Sequence, residues 1–227
     1  MLPLESLFRV LNEDGGRYVL VGGLAVVLRG HLRATGDVDL VVDLAPDQVN
    51  RTLAALEQAG FQPYVPVPAS EFADPAKRAE WMREKRMLVF SLRPAGGVPM
   101  VGLFLEPPMP FDRLWDRSIL VRMRGVPVRV AGLDDLVELQ RRPSGRRRRC
   151  RGADGDSAAW RGAAVTAELP RDGRFPPDRE ALLRTTLALS VDERVAWLEA
   201  MIAIAVESGA LPKPLPDQLA GARRAEK

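Results

Sequence analysis

The stretch "RYVLVGGLAVVLRGHLRATGDVDLVVDL", residues 17–44, constrains the fold more than any other part of the chain. Its first run, "RYVLV", is short and apolar, as a buried strand requires, and it ends on the pair Gly22-Gly23. "GLAVVLRG" then fits a short helix that opens at the glycines and stops at Gly30, and "DVDLVVDL" is β-branched and apolar enough for a central strand. The expected local order is strand, tight turn, helix, strand. That second strand begins with two acids, Asp37 and Asp39. At i and i+2 on a strand they point to one face, while Val38 points to the other and can pack. Like charges so placed repel, and each resists losing its water unless a cation compensates.

The flanking segments extend the alternation of strand and helix. Leu4, Leu7, Phe8 and Leu11 recur at helical spacing. "PDQVNRTLAALEQAG" places Pro46 near a helix N-terminus, repeats Val49, Leu53 and Leu56, and closes on Gly60. "FQPYVPVP" reads as a short strand broken by prolines, and "SEFADPAKRAEWMREKR" as a polar helical insertion. "MLVFSL" and "PMVGLFLE", joined by "RPAGGV", suit an antiparallel pair; "PPMPFDRLWDRS" reads as a loop. "ILVRM" and "VPVRV" flank Arg124-Gly125 as a hairpin, and "LDDLVELQ" begins a helix. The predicted class for residues 1–140 is α/β, a mixed β-sheet flanked by helices.

Beyond Gln140 the character changes. Residues 141–177 have no sustained period and collapse onto Arg, Gly, Ala, Pro, Ser and Asp, the residues that GC-rich codons yield when read out of frame. They are expected to form a basic, disordered linker. Residues 178–227 read as a C-terminal helical appendage: Ser190 with Glu193 has capping-box spacing, Val195, Leu198, Met201, Ile202 and Ala205 form an apolar face, and Gly209 stops the helix. The net charge of +3 rests on "RRPSGRRRRCR" at 141–151, so it is weak support for nucleic-acid binding. Of 227 residues 46% are hydrophobic, enough for one ordinary domain with a smaller addition. No apolar stretch reaches membrane-span length and the N-terminus lacks a basic leader, so the expectation is a cytoplasmic protein without a membrane partner. With one cysteine, Cys150, and one histidine, His31, neither an internal disulfide nor a Cys/His zinc site can form. Any metal here must be held by oxygen.

Magnesium meets that condition, since it takes one or two carboxylates and completes its shell with substrate phosphates and water. Gly22 and Gly23, lacking Cβ, would let backbone N–H groups approach such phosphates where a helix begins. Each feature also has a plain structural reading. Two acids at a wet strand entrance need no metal, and a glycine pair can serve a tight turn alone. His31 reads as a loop residue without a visible partner rather than a general base.

Gly22-Gly23 followed by Arg33, Thr35, Asp37, Val38 and Asp39 in "RATGDVDLVV" resembles the signature of the minimal nucleotidyltransferases of the polymerase-β-like superfamily, including bacterial AbiEii-like toxin-type members. The resemblance extends through the hairpin to about Gln140 and implies a nucleotidyltransferase-like fold. It implies transfer of a nucleoside monophosphate from an NTP to RNA, protein or a small molecule. Asp37 and Asp39 would be the catalytic acids and the ligands of two Mg²⁺ ions. The triphosphate would lie on Gly22 and Gly23, with Arg33 and Thr35 in the nucleotide-binding set, and a cognate antitoxin-like partner is implied. One departure bears on activity. Where the family carries a third carboxylate, "VGLFLE" has Gly102, which implies reduced or lost turnover. The alternative is a catalytically inactive nucleotide- or RNA-binding or regulatory module. Glu106 is four residues further along, and Asp43 lies roughly 13 Å from Asp39 at about 3.3 Å per residue, so both are poor replacements. Metal-dependent glycosyltransferases also use D-x-D, but that reading leaves the glycine pair unexplained.

Overall fold

The structure, a computed structural model, describes residues 3–94, 97–141 and 179–211. The expected linker, apart from Arg141, and the end of the appendage from residue 212 lie outside the described residues.

Apolar periodicity sets the elements in the first third. Helix α1 (Leu4–Glu13) buries Leu4, Leu7, Phe8 and Leu11 along one face. Strand β1 (Tyr18–Val21) is buried at every position, as a strand covered on both faces must be. The chain then turns at Gly22 into α2 (Gly22–Leu28), passes through a loop and enters β2 (Asp37–Val42). Helix α3 (Pro46–Gln58), with proline in its first turn, buries Val49, Leu53 and Leu56, and the following Gly60 takes the left-handed conformation at φ +81°. Strand β3 (Phe61–Pro63), a 3-10 turn (Ala69–Ala73), α4 (Pro75–Lys85), β4 (Val89–Pro94) and β5 (Met100–Phe104) follow. After α5 (Phe111–Arg117) come β6 (Ile119–Met123), β7 (Val126–Val130), α6 (Leu133–Arg141), α7 (Arg179–Ala188) and α8 (Val191–Glu207).

The seven strands form one mixed sheet in the order β3-β4-β5-β2-β1-β7-β6, flanked by helices. The acid-bearing β2 is the central strand, antiparallel to β1 and parallel to β5. Proline-containing β3 lies at an edge, where its missing N–H leaves no ladder bond unmade. Leu40, Leu103 and Phe90 pair across three strands, so they share one face. On that face Phe72 and Trp81 stack on Phe90, with ring centroids 5.3 and 5.6 Å away. Asp39, Gly102 and Ser91 pair in register one residue along and therefore share the opposite face. Helices α2 and α8 pack together, α2 on β2 and α8 on β6. No described helix is long and apolar enough to cross a membrane.

Two expectations need correction. "PPMPFDRLWDRS" is not all loop: Phe111–Arg117 form α5, with Leu114 buried and the guanidinium groups of Arg17 and Arg129 lying 4.5 and 3.9 Å from the ring centre of Trp115. Seven residues with one buried apolar position give too little periodicity to see, and the flanking prolines read as punctuation. "SEFADPAKRAEWMREKR" is helical but not merely a polar insertion. Asp74 divides it, accepting from the N–H of Ala76 to cap α4, and Phe72 and Trp81 enter the core.

Farther along, Arg124 and Gly125 both have positive φ, as a two-residue hairpin turn demands. Arg124 pairs with Glu5 of α1 and Glu199 of α8, and its backbone N–H donates to Asp192. Asp135, fully buried, lies 3.2 Å from Arg113 Nη2 and 3.1 Å from Arg117 Nε and docks α6 on α5. The five expected apolar residues of α8 are all buried, and its N-terminus carries the capping box: Ser190 Oγ accepts from the N–H of Glu193, whose carboxylate accepts from the N–H of Ser190. Ser190→Ala is expected to lower the unfolding free energy by about 1 kcal/mol in urea denaturation. The Ser190 backbone and hydroxyl hold the Glu193 carboxyl below its ordinary value of 4.5. Its part of the cap is therefore complete above that value and lost as pH falls through the lowered one. Glu193→Gln should flatten the stability change across that acid range.

Candidate functional site

The site is assembled by chain reversal. Strand β1 runs up to Val21, and β2 returns antiparallel beside it with Val21 opposite Asp39. The strand that carries the acids therefore starts next to the glycine turn that ends the other. Asp37 is exposed, Asp39 is half-buried, and Val38 between them is packed into the core, as alternation requires.

Gly22 is demanded twice. Its φ of +70° lies in the left-handed region, and a methyl group there would overlap Asp39 Oδ2 and stand 3.0 Å from Asp39 Cβ and Cγ. The absent side chain is the space that the Asp39 carboxylate occupies. At Gly23 an added Cβ would come within 2.5 Å of Thr35 Oγ1. The Thr35 hydroxyl also makes a long 3.4 Å bond to the carbonyl of Asp37, so Thr35 joins the glycine turn to the start of β2. Arg33 is exposed on the same loop. The structure thus brings Gly22, Gly23, Thr35, Asp37 and Asp39 together, and places Arg33 exposed on the loop that leads to Thr35.

On the other side of Asp39, at the register position across β5, stands Gly102. It is flanked by Val89 of β4: a Cβ at residue 102 would lie 2.9 Å from Val89 Cγ1 and 3.1 Å from Asp39 Oδ1. Nothing in the local sequence around Val89 signals this approach, because it depends on how β4 and β5 pair. Glu106 does not fill the gap. Strand β5 ends at Phe104, so alternation stops before Glu106, which lies exposed in the following bend. Asp43, past the other end of β2, accepts from Arg17 at 2.8 Å and from the N–H of Ala45 at 3.1 Å. His31 is an exposed loop residue.

Two carboxylates on one face are hard oxygen donors of the kind a small divalent cation takes. Among the described residues no three His, Cys, Asp or Glu side chains gather as a metal cluster. Asp37 and Asp39 are the residues here that could offer oxygen ligands to such an ion. The chain matches no protein-family model, and no curated protein matches it.

Proposed function

We propose that this chain is a nucleotidyltransferase-like protein that holds a magnesium-bound NTP beside its acid pair and the glycine turn that the pair abuts. It would transfer the nucleoside monophosphate slowly to an acceptor hydroxyl, which attacks the α-phosphorus as the α–β phosphoanhydride bond breaks and pyrophosphate leaves. One observation carries the reading: Asp39 lies opposite the last residue before the turn, and its carboxylate fills the side-chain space of Gly22. The acid pair and the glycine turn are thus direct neighbours, the juxtaposition this reading requires. The polymerase-β-like fold assignment, the C-terminal appendage, a cytoplasmic setting and an antitoxin-like partner belong to the same reading.

Each residue has a role in it. Asp37 and Asp39 offer oxygen ligands to Mg²⁺, which when bound neutralises phosphate charge. Gly22 and Gly23, without Cβ, let the Asp39 carboxylate and Thr35 close against the turn, which sets both beside the start of α2. Thr35 fixes the turn into Asp37, and Arg33, exposed on the same loop, would be the cation for phosphate oxygens. Gly102 offers no carboxylate to accept the acceptor's proton or hold a second ion, so turnover is expected to be low.

Gly102 with Val89 against it also favours a second reading, a module that binds nucleotide without transfer. Both are tested by calorimetric titration with Mg²⁺ and each NTP, followed by transfer of label from α-labelled NTP to RNA or protein. Saturation below about 1 mM NTP with slow Mg²⁺-dependent labelling supports the enzyme. Saturation without labelling supports the module, and no saturation by any NTP refutes both.

A further inference from the structure

We propose that the C-terminal helices α7 and α8 brace the loop between α2 and β2, with Arg194 and Leu211 as positioning residues for the candidate site. This rests on the reading above, because that loop carries Arg33 and Thr35 and delivers Asp37. Residues 29–36 form no helix or strand, and such segments are ordinarily the first to open. Here both ends of the loop are gripped from the far end of the sequence.

At the entrance, the buried guanidinium of Arg194 donates from Nη1 to the carbonyl of Leu28, the last residue of α2, at 3.0 Å. Its Nε and Nη2 donate to the carbonyls of Thr186 and Leu187 in α7, each at 3.2 Å. One planar side chain thus joins the carboxyl-terminal turns of two helices, where helix carbonyls lack intrahelical partners. Gly30 is held against the same unit. Its φ is +111°, and a Cβ there would stand 2.6 Å from Leu187 Cδ2 and 3.7 Å from Arg194 Cζ.

At the exit, after Gly209 in the left-handed conformation, the N–H of Leu211 returns to the carbonyl of Ala205 at 2.9 Å. This places the Leu211 side chain over Gly36, where a Cβ would be 3.4 Å from Cδ1. Gly36 directly precedes Asp37, and its carbonyl accepts from the N–H of Met100 of β5. Leu211 therefore covers the face of the residue that directly precedes β2, closely enough that a Cβ there would touch it. The brace spans the loop from Leu28 to Gly36 and leaves Arg33 on the exposed side.

The test uses the full chain with Leu211→Ser, which removes the Gly36 contact, and Arg194→Met, with Arg194→Lys as the conservative counterpart. Leu211→Ser is expected to speed hydrogen exchange of amides 31–37 about tenfold, to leave β4 and β5 amides unchanged, and to weaken Mg²⁺–ATP binding about tenfold. Arg194→Met should do the same at residues 29–31, with part of the protection returned by lysine. Should Arg194→Met fail to fold, Leu211→Ser decides alone. Unchanged exchange in 31–37 overturns the brace, and so does faster exchange with ATP affinity intact. A native chain that binds no Mg²⁺–ATP refutes the nucleotide reading, while the exchange comparison still decides whether the helices hold the loop.

Discussion

Gly22→Ala is expected to weaken Mg²⁺–NTP binding about a hundredfold and to lower the unfolding free energy by about 3 kcal/mol. Two effects add. An L side chain at φ +70° is disfavoured by about 1–2 kcal/mol, and the methyl group must displace the Asp39 carboxylate it would overlap. The control is Gly60→Ala: its φ of +81° carries the same backbone penalty, but a Cβ there meets nothing within 4 Å. Urea denaturation of the two variants isolates the cost of moving Asp39, and titration with Mg²⁺–ATP reads its consequence for the site. Equal destabilisation with native affinity in Gly22→Ala would show that Asp39 can move without loss and that the turn is only a turn.

The second large effect is a gain. Gly102→Asp alone is expected to cost about 1–3 kcal/mol and to add little activity, because its Cβ falls 2.9 Å from Val89 Cγ1. Val89 is packed and, being β-branched, cannot swing aside cheaply. The double variant Val89→Ala/Gly102→Asp opens that space and places a third carboxylate at the register position opposite Asp39. Mg²⁺-dependent transfer from α-labelled NTP should then rise at least about a hundredfold over the native chain. The pair must be made together, since contacting residues are not additive. A double variant that folds, binds NTP and transfers no faster than native would show that a missing third acid is not what limits the reaction.

What could be read in the sequence was what local geometry determines. Leu4, Leu7, Phe8 and Leu11 define α1 because a helix repeats within four residues, and the glycine pair with Asp37 and Asp39 declares itself because a turn and an i, i+2 spacing are short-range facts. Helix α5 was hidden because a seven-residue helix with one buried leucine has no stripe to show. In the segment carrying Phe72 and Trp81, polar residues outnumber two aromatics whose role exists only once Phe90 is beneath them. The same limit applies at the site. Gly102 could be read as a missing carboxylate, but the approach of Val89 arises from strand register, and the grip of Arg194 and Leu211 joins residues more than 160 positions from the loop they hold. No pattern in a window of sequence contains such a contact.

Titration of Mg²⁺ and NTP into the native chain, Asp39→Asn and Asp43→Asn bears most directly on the acid pair. Asp43 is the control, being an acid just past the other end of the same strand, away from the glycine turn. The prediction is saturable Mg²⁺-dependent binding by native and Asp43→Asn, reduced at least about a hundredfold in Asp39→Asn. Native-strength binding by Asp39→Asn, or an equal loss in both variants, would contradict the assignment of Asp37 and Asp39 as the carboxylates that hold the nucleotide's metal.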